Sequence, residues 1–165
     1  MQSFYHRFLA SAERLPSRIS VELQKASPST EVEAYTFAEL RVKAESVGQW
    51  LRATGVIPGD RCTILGLNHP RWVMAYLGIL ANGAVAVPLD TAFKPAQVAK
   101  LLDDCGSNLI FCDKEHLEVA QAAVGSRPQT RIVLLQAVPG SDLASLDQMF
   151  ASRVQPFTPH NSAAE

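Results

Sequence analysis

A chain of 165 residues is long enough for one domain with a real hydrophobic core and short for a second. Fifteen Lys and Arg against sixteen Asp and Glu leave a net charge of −1, and the basic residues are scattered, which excludes the electrostatic footprint of a nucleic-acid binder. Three cysteines, Cys62, Cys105 and Cys112, are odd in number and lack C-x-x-C spacing, so neither a disulfide framework nor a zinc site is suggested, and a reducing, cytoplasmic compartment is expected.

The amino-terminal stretch MQSFYHRFLASAERLPSR breaks every apolar run with a charge, so no secretory signal is expected, and residues 2–14 read as a first helix. RISVELQ and EVEAYTF flank the polar turn KASPSTE and read as an antiparallel hairpin. Thr36 and Glu39 have the capping-box spacing, in which each side chain satisfies the other residue's orphan amide, so a helix is predicted to start there. Phe37, Leu40, Ala44, Val47 and Leu51 then recur at spacings of three and four on one face, until Gly55 closes the helix. CTILGL, Cys62 to Leu67, is apolar on both alternations and suits a strand covered on both faces.

From Trp72 the chain runs to Asp90 without a charge, close to the ~18 residues of a membrane span. Asn82-Gly83 ends a helix, however, and Pro88 would disrupt a continuing one. The run therefore divides into a helix over Pro70–Ala81, opened by a proline preset for the first turn, and a buried strand over Ala84–Pro88. Pro95 opens the next helix, with Val98, Leu101, Leu102 and Cys105 on one face and Gly106 as its stop. Asn108–Cys112 is a strand, Asp113 caps a helix running through Ala123 with Gly125 after it, and Arg131–Leu135 is a further strand. Strand starts near 61, 84, 108 and 131 recur every 23 or 24 residues, the length of a strand, a crossover helix and two loops. The fold class that follows is α/β, a mostly parallel right-handed sheet with helices on both faces, preceded by a helix and a hairpin. After Phe150 the segment ASRVQPFTPHNSAAE is rich in Pro, Ser and small residues and reads as a linker.

The chemistry-bearing residues point to no complete catalytic site. The Rossmann and P-loop fingerprints are missing, and GILANG, Gly78 to Gly83, lies late in a helix where backbone amides are already used. His6, His69, His116 and His160 are too dispersed for a metal cluster. His69 follows a strand, where sheets of this kind contact ligands, but reads first as a helix cap. Asp103-Asp104 and Asp113-Glu115 read as solvated charges and caps, and no serine or cysteine sits in a nucleophile elbow.

Two motifs carry a family resemblance. YTFAEL matches an aromatic-Thr/Ser-x-x-Glu-Leu signature, and LGILANGAVAVPLD matches Leu-x5-Gly-Ala-x3-Pro-Leu-Asp/Asn; both, in this order, resemble the N-terminal region of the AMP-forming adenylating enzymes. The likeness runs from about Tyr35 to Leu135. It implies a reaction in which a carboxylate attacks the α-phosphate of ATP, giving an acyl-adenylate whose acyl group passes to coenzyme A. Within the superfamily, PLDTAFKPAQVAKLL resembles an acyl-CoA synthetase acting on a fatty acid more than a peptide-synthetase adenylation domain, which stays the alternative together with a non-catalytic interaction module on the same scaffold.

The resemblance further implies ATP, Mg2+ and coenzyme A for a full-length enzyme and a carboxylic acid as substrate, with none of the cofactors bound to this chain. The family's phosphate loop, magnesium ligand, ribose-binding aspartate and C-terminal lysine have no match here, so no catalytic residue and no metal ligand is expected within the chain. Residues 1–150 are then expected to be the N-terminal α/β subdomain, and residues 151–165 a linker leading to the phosphate loop. Some coenzyme A ligases carry an arginine after the second motif that meets the coenzyme's nucleotide phosphates. Ala92 stands there, and Lys94, two residues on, is a candidate to approach that anionic ligand, its other reading being a solvated surface lysine. Apolar surface left bare is expected to favour self-association.

Overall fold

The computed structural model describes residues 3–25, 28–125, 127–152 and 156–160. Ser3 caps α1, Phe4–Arg14, by accepting from the His6 amide at 3.3 Å. The hairpin follows as β1, Ile19–Gln24, and β2, Val32–Thr36, paired antiparallel with an irregularity between Ile19 and Val21. Two residues of the expected turn, 26 and 27, lie outside the described residues.

Thr36 opens α2, Phe37–Ala53, through the anticipated capping box: its hydroxyl accepts from the Glu39 amide at 3.2 Å, and the Glu39 carboxylate accepts from the Thr36 amide at 2.8 Å. The alternating part of the chain then forms β3, Arg61–Leu65; α3, Pro70–Ala81; β4, Val85–Leu89; α4, Pro95–Cys105; β5, Leu109–Cys112; α5, Leu117–Val124; and β6, Arg131–Leu134. The four anticipated strands lie parallel in one sheet, within a residue or two of their expected bounds.

Two elements were not anticipated: β7, Ala144–Ser145, which extends the sheet beside β6, and α6, Leu146–Ala151. The start of α5 also differs. Asp113 does not cap the helix directly; it accepts from the His116 amide at 2.9 Å and so shapes a preceding turn, and α5 begins four residues later at Leu117.

The five-stranded order is β4-β3-β5-β6-β7. Strand alternation sorts the core into two layers. Cys62, Ile64, Leu109, Phe111 and Val133 face one layer with Val47 and Leu51 of α2, Met74 and Leu77 of α3, and Leu146 of α6. Leu65, Ile110, Cys112 and Leu134 face the other, with Val98 and Leu102 of α4 and Ala120 and Ala123 of α5. Each inner strand is buried on both sides, which explains its unbroken apolar character. The uncharged stretch of the sequence is thus α3 and β4, but β4 is not the buried strand expected: it is the edge of the sheet, paired only with β3, and Val85 and Pro88 are exposed, a place where a proline costs no ladder hydrogen bond. Among the described residues no helix is long and apolar enough to cross a membrane.

The fold also reaches into the segment after α6. Phe157 packs on the outer layer beside Gly48, the Arg52 guanidinium lies 4.6 Å from its ring centroid, and Arg52 Nη2 donates to the Thr158 carbonyl at 3.1 Å. The His160 amide donates to the Ala81 carbonyl at 2.9 Å. Residues 156–160 therefore lie against α2 and the end of α3; residues 153–155 and 161–165 fall outside the described residues.

Candidate functional site

Parallel α/β sheets present ligand-binding groups where the strands end at their carboxyl side, so the loops after β3, β4, β5 and β6 form the edge of interest. Asp113 organises it. Its Oδ2 accepts from the Leu67 amide at 2.7 Å, while Oδ1 accepts from the His116 amide and lies 2.5 Å from His116 Nδ1. One carboxylate thus ties the loop after β3 to the loop after β5. Its approach depends on Gly66, where an added Cβ would stand 3.0 Å from Asp113 Oδ2 and 3.1 Å from Leu135 Cδ1.

His69 is the N-cap of α3. Its Nδ1 accepts from the Arg71 amide at 3.1 Å, and Nε2 stands 3.8 Å from a Glu33 oxygen. The helix-cap reading of this residue holds in the structure. Arg71, the second residue of α3, donates to the Leu135 carbonyl at 3.1 Å and to Asp147 Oδ1 at 2.7 Å, and Asp147 Oδ2 accepts from the Ala137 amide at 2.7 Å. Burial opposes ionisation of Asp147, but the Arg71 guanidinium and the Ala137 amide outweigh it and hold the carboxyl below its ordinary value.

The loop after β4 is built by Asp90, whose Oδ1 accepts from the Ala92 amide at 2.9 Å. Lys94 follows as the N-cap of α4; its backbone amide donates to Gln97 Oε1 at 2.9 Å, and its side chain is exposed, with no carboxylate partner among the described residues. Asp104 pairs with Lys100 at 2.6 Å and Asp103 with Arg127, as expected of solvated helix charges. Lys94 lies on the β4 loop and Asp113 on the β5 loop, and no contact joins the two.

Among the described residues there is no group of three or more His, Cys, Asp or Glu able to hold a metal ion. The GILANG segment offers no phosphate cradle either: the Asn82 amide donates to the Gly78 carbonyl and the Gly83 amide to the Leu80 carbonyl. No step of adenylation is assigned to the described residues.

The family model described as AMP-binding enzyme matches residues 8–164. The chain belongs to that family. The match agrees with the resemblance carried by YTFAEL and LGILANGAVAVPLD. A feruloyl-CoA synthase of Amycolatopsis sp is 33% identical over 114 residues, which are 69% of this chain and 22% of the relative. A 3-hydroxybenzoate/4-hydroxybenzoate CoA ligase of Thauera aromatica is 37% identical over 101 residues, 61% of this chain and 19% of the relative. The chain thus spans about a fifth of the length of these curated relatives. The crystal structure of the anthranilate CoA ligase AuaEII with anthranoyl-AMP superposes with a TM-score of 0.83 at 22% identity, over 96% of this chain and 29% of that one, which shows the same fold. In this member of the AMP-binding enzyme family, Asp113, His69 and Arg71 hold together the loops at the carboxyl edge of the sheet.

Proposed function

We propose that this chain is the amino-terminal subdomain of an AMP-forming acid–CoA ligase, and that the full-length protein activates a carboxylic acid as its adenylate with ATP and Mg2+ and transfers the acyl group to coenzyme A. The family match over residues 8–164 is the observation that carries this reading. Residues 1–150 supply the scaffold, and residues 151–165 lead toward the phosphate loop. Relatives named for ferulate and hydroxybenzoate move the preferred substrate from a fatty acid to an aromatic one. A cytoplasmic location is consistent with three cysteines in the free thiol state.

The test compares this chain with a polypeptide continued to the relatives' length, in ATP–pyrophosphate exchange against aromatic, fatty and amino acids. The long form is expected to exchange with aromatic acids and form the acyl-CoA, and the short one to be inert, because nothing in it positions triphosphate, metal and carboxylate together. Exchange by the short chain removes the subdomain reading; exchange by the long form with amino acids alone favours a peptide synthetase; no exchange with any acid favours a non-catalytic interaction module.

Lys94 is proposed to face the nucleotide phosphates of coenzyme A. In the long form, Lys94→Gln is expected to raise KM for coenzyme A about fivefold, the size of a single solvent-screened ion pair, while kcat holds. An unchanged KM removes Lys94 from the site. Self-association of the short chain belongs to the same reading, since Ile57 and Phe4 are 62% and 61% exposed, and sedimentation as a strict monomer at high concentration would count against it.

A further inference from the structure

The strand order β4-β3-β5-β6-β7 contains one point at which the winding reverses. From β3 the chain crosses to β4 through α3 on one face of the sheet; from β4 it returns past β3 to β5 through α4 on the other. β3 and β5 are hydrogen-bonded neighbours, yet the helices that follow them, α3 and α5, lie on opposite faces. Their loops must diverge, and a crevice opens between them outside the carboxyl ends of the strands, the location at which open α/β sheets bind small molecules.

The crevice is present as a cavity of about 260 Å³, lined by Leu67, Asn68 and His69 from the first loop, Asp113 and Glu115 from the second, and Leu135 from the end of the β6 segment. This is just below the ~300 Å³ at which drug-sized pockets begin, so it suits one ring or a short chain. Its chemistry is one-sided. Two carboxylates line it and no Lys or Arg does. Both oxygens of Asp113 are engaged in holding the loops, whereas Glu115 is exposed and has no partner among the described residues. His69 accepts the Arg71 amide hydrogen at Nδ1, which leaves its own proton on Nε2, directed toward Glu33. An anion entering here would meet two carboxylates with no compensating cation. Leu67, 53% exposed, and the buried Leu135 give the crevice apolar lining that suits an apolar body.

We propose that this crevice binds a small organic cation, a primary ammonium on an apolar body, with its charge at Glu115 and its body on Leu67 and Leu135. The site is distinct in kind from those for a carboxylate, ATP and coenzyme A, all of them anions, and does not rest on the activity proposed above.

The experiment is a 1H–15N NMR titration of the 165-residue chain with benzylammonium and butylammonium, and with benzoate and benzyl alcohol as matched anionic and neutral probes. At least one ammonium is expected to give saturable shifts at Leu67, Asn68, His69, Glu115 and Leu135, with the two controls silent there. Glu115→Gln is expected to weaken that binding about fivefold, the worth of a partly exposed ion pair, and Glu13→Gln, on α1, to leave it unchanged. The exposed, unpartnered Glu115 can be replaced without disturbing the fold. Failure of both amines to saturate, equal shifts with benzoate or benzyl alcohol, or unaltered affinity in Glu115→Gln would each overturn the proposal.

Discussion

At the residue scale, the contact between Arg71 and Asp147 fastens the start of α3 to the start of α6, 76 positions apart. Nothing in the sequence marks the pair, because the helix that carries Asp147 was not anticipated. Asp147 is held below its ordinary value in the folded chain, so the stability it contributes is fully present above the unfolded carboxylate range and disappears as pH falls through the lower folded value. Asp147→Asn is therefore expected to cost about 1 kcal/mol near neutrality, a figure discounted for the carboxylate's partial exposure. The gap between the two proteins should begin to narrow as pH falls to about 4, the unfolded carboxylate value, and go on closing below it. Urea midpoints across pH 3 to 7 check this, and a gap that stayed constant would mean that the carboxylate's charge is irrelevant.

At the scale of elements, most helices and strands with local signals were legible; α6 is the exception, its Ser145–Gln148 spacing, in which Gln148 Oε1 accepts from the Ser145 amide at 3.2 Å, having gone unread. The capping box at Thr36, Pro70 at the start of α3 and the Asn82-Gly83 stop each act within one turn of chain, and each is found where its chemistry placed it. β7 is two residues long and α6 six, too short to carry a period, and both exist because β6 and α2 offer surfaces to pair with and pack on. Two glycines test the account of α3. Gly83 has φ +78°, so a valine there is strained whatever its surroundings, and its Cβ would also stand 2.5 Å from the His160 ring. At Gly78 the backbone is ordinary helix, but a Cβ would lie 2.5 Å from Val47 Cβ and 2.8 Å from the Ala44 carbonyl oxygen. A glycine at this point of a helix is explained by α2, whose backbone cannot step back from a crossing this close. Gly78→Ala is expected to lower stability by about 1–3 kcal/mol, the usual range for overpacking, although alanine is the better helix former by nearly 1 kcal/mol. A raised melting temperature for Gly78→Ala would show that α2 and α3 do not cross as described.

At the scale of the whole molecule, the regular spacing of strands foretold a parallel sheet but not its order, because crossover lengths are the same whether the next strand is added to the left or the right. The crevice between β3 and β5 follows from that order alone, which is why a sequence reading could note His69 and Asp113 separately and not bring them together. The segment after α6 has the same character. Its Pro and Ser content reads as a linker, yet Phe157 closes over the one position in α2 where glycine leaves room, a Cβ at Gly48 coming 2.8 Å from its ring. If that contact belongs to the cooperative fold, Phe157→Ala should reduce the stability of the entire domain by about 1–2 kcal/mol, in proportion to half-buried aromatic area. It should do so in a single transition, with melting of the α2 and sheet signals shifted together. If residues 156–160 behaved as a detached linker, the variant would melt with the parent, and proteolysis would remove the segment while leaving the transition unchanged. The proteolytic arm also separates lost packing from an altered unfolded state: cutting before Phe157 should lower the midpoint at least as far as the alanine does, since it removes the ring, the Thr158 carbonyl that Arg52 holds and the His160 amide bonded to Ala81 in one step.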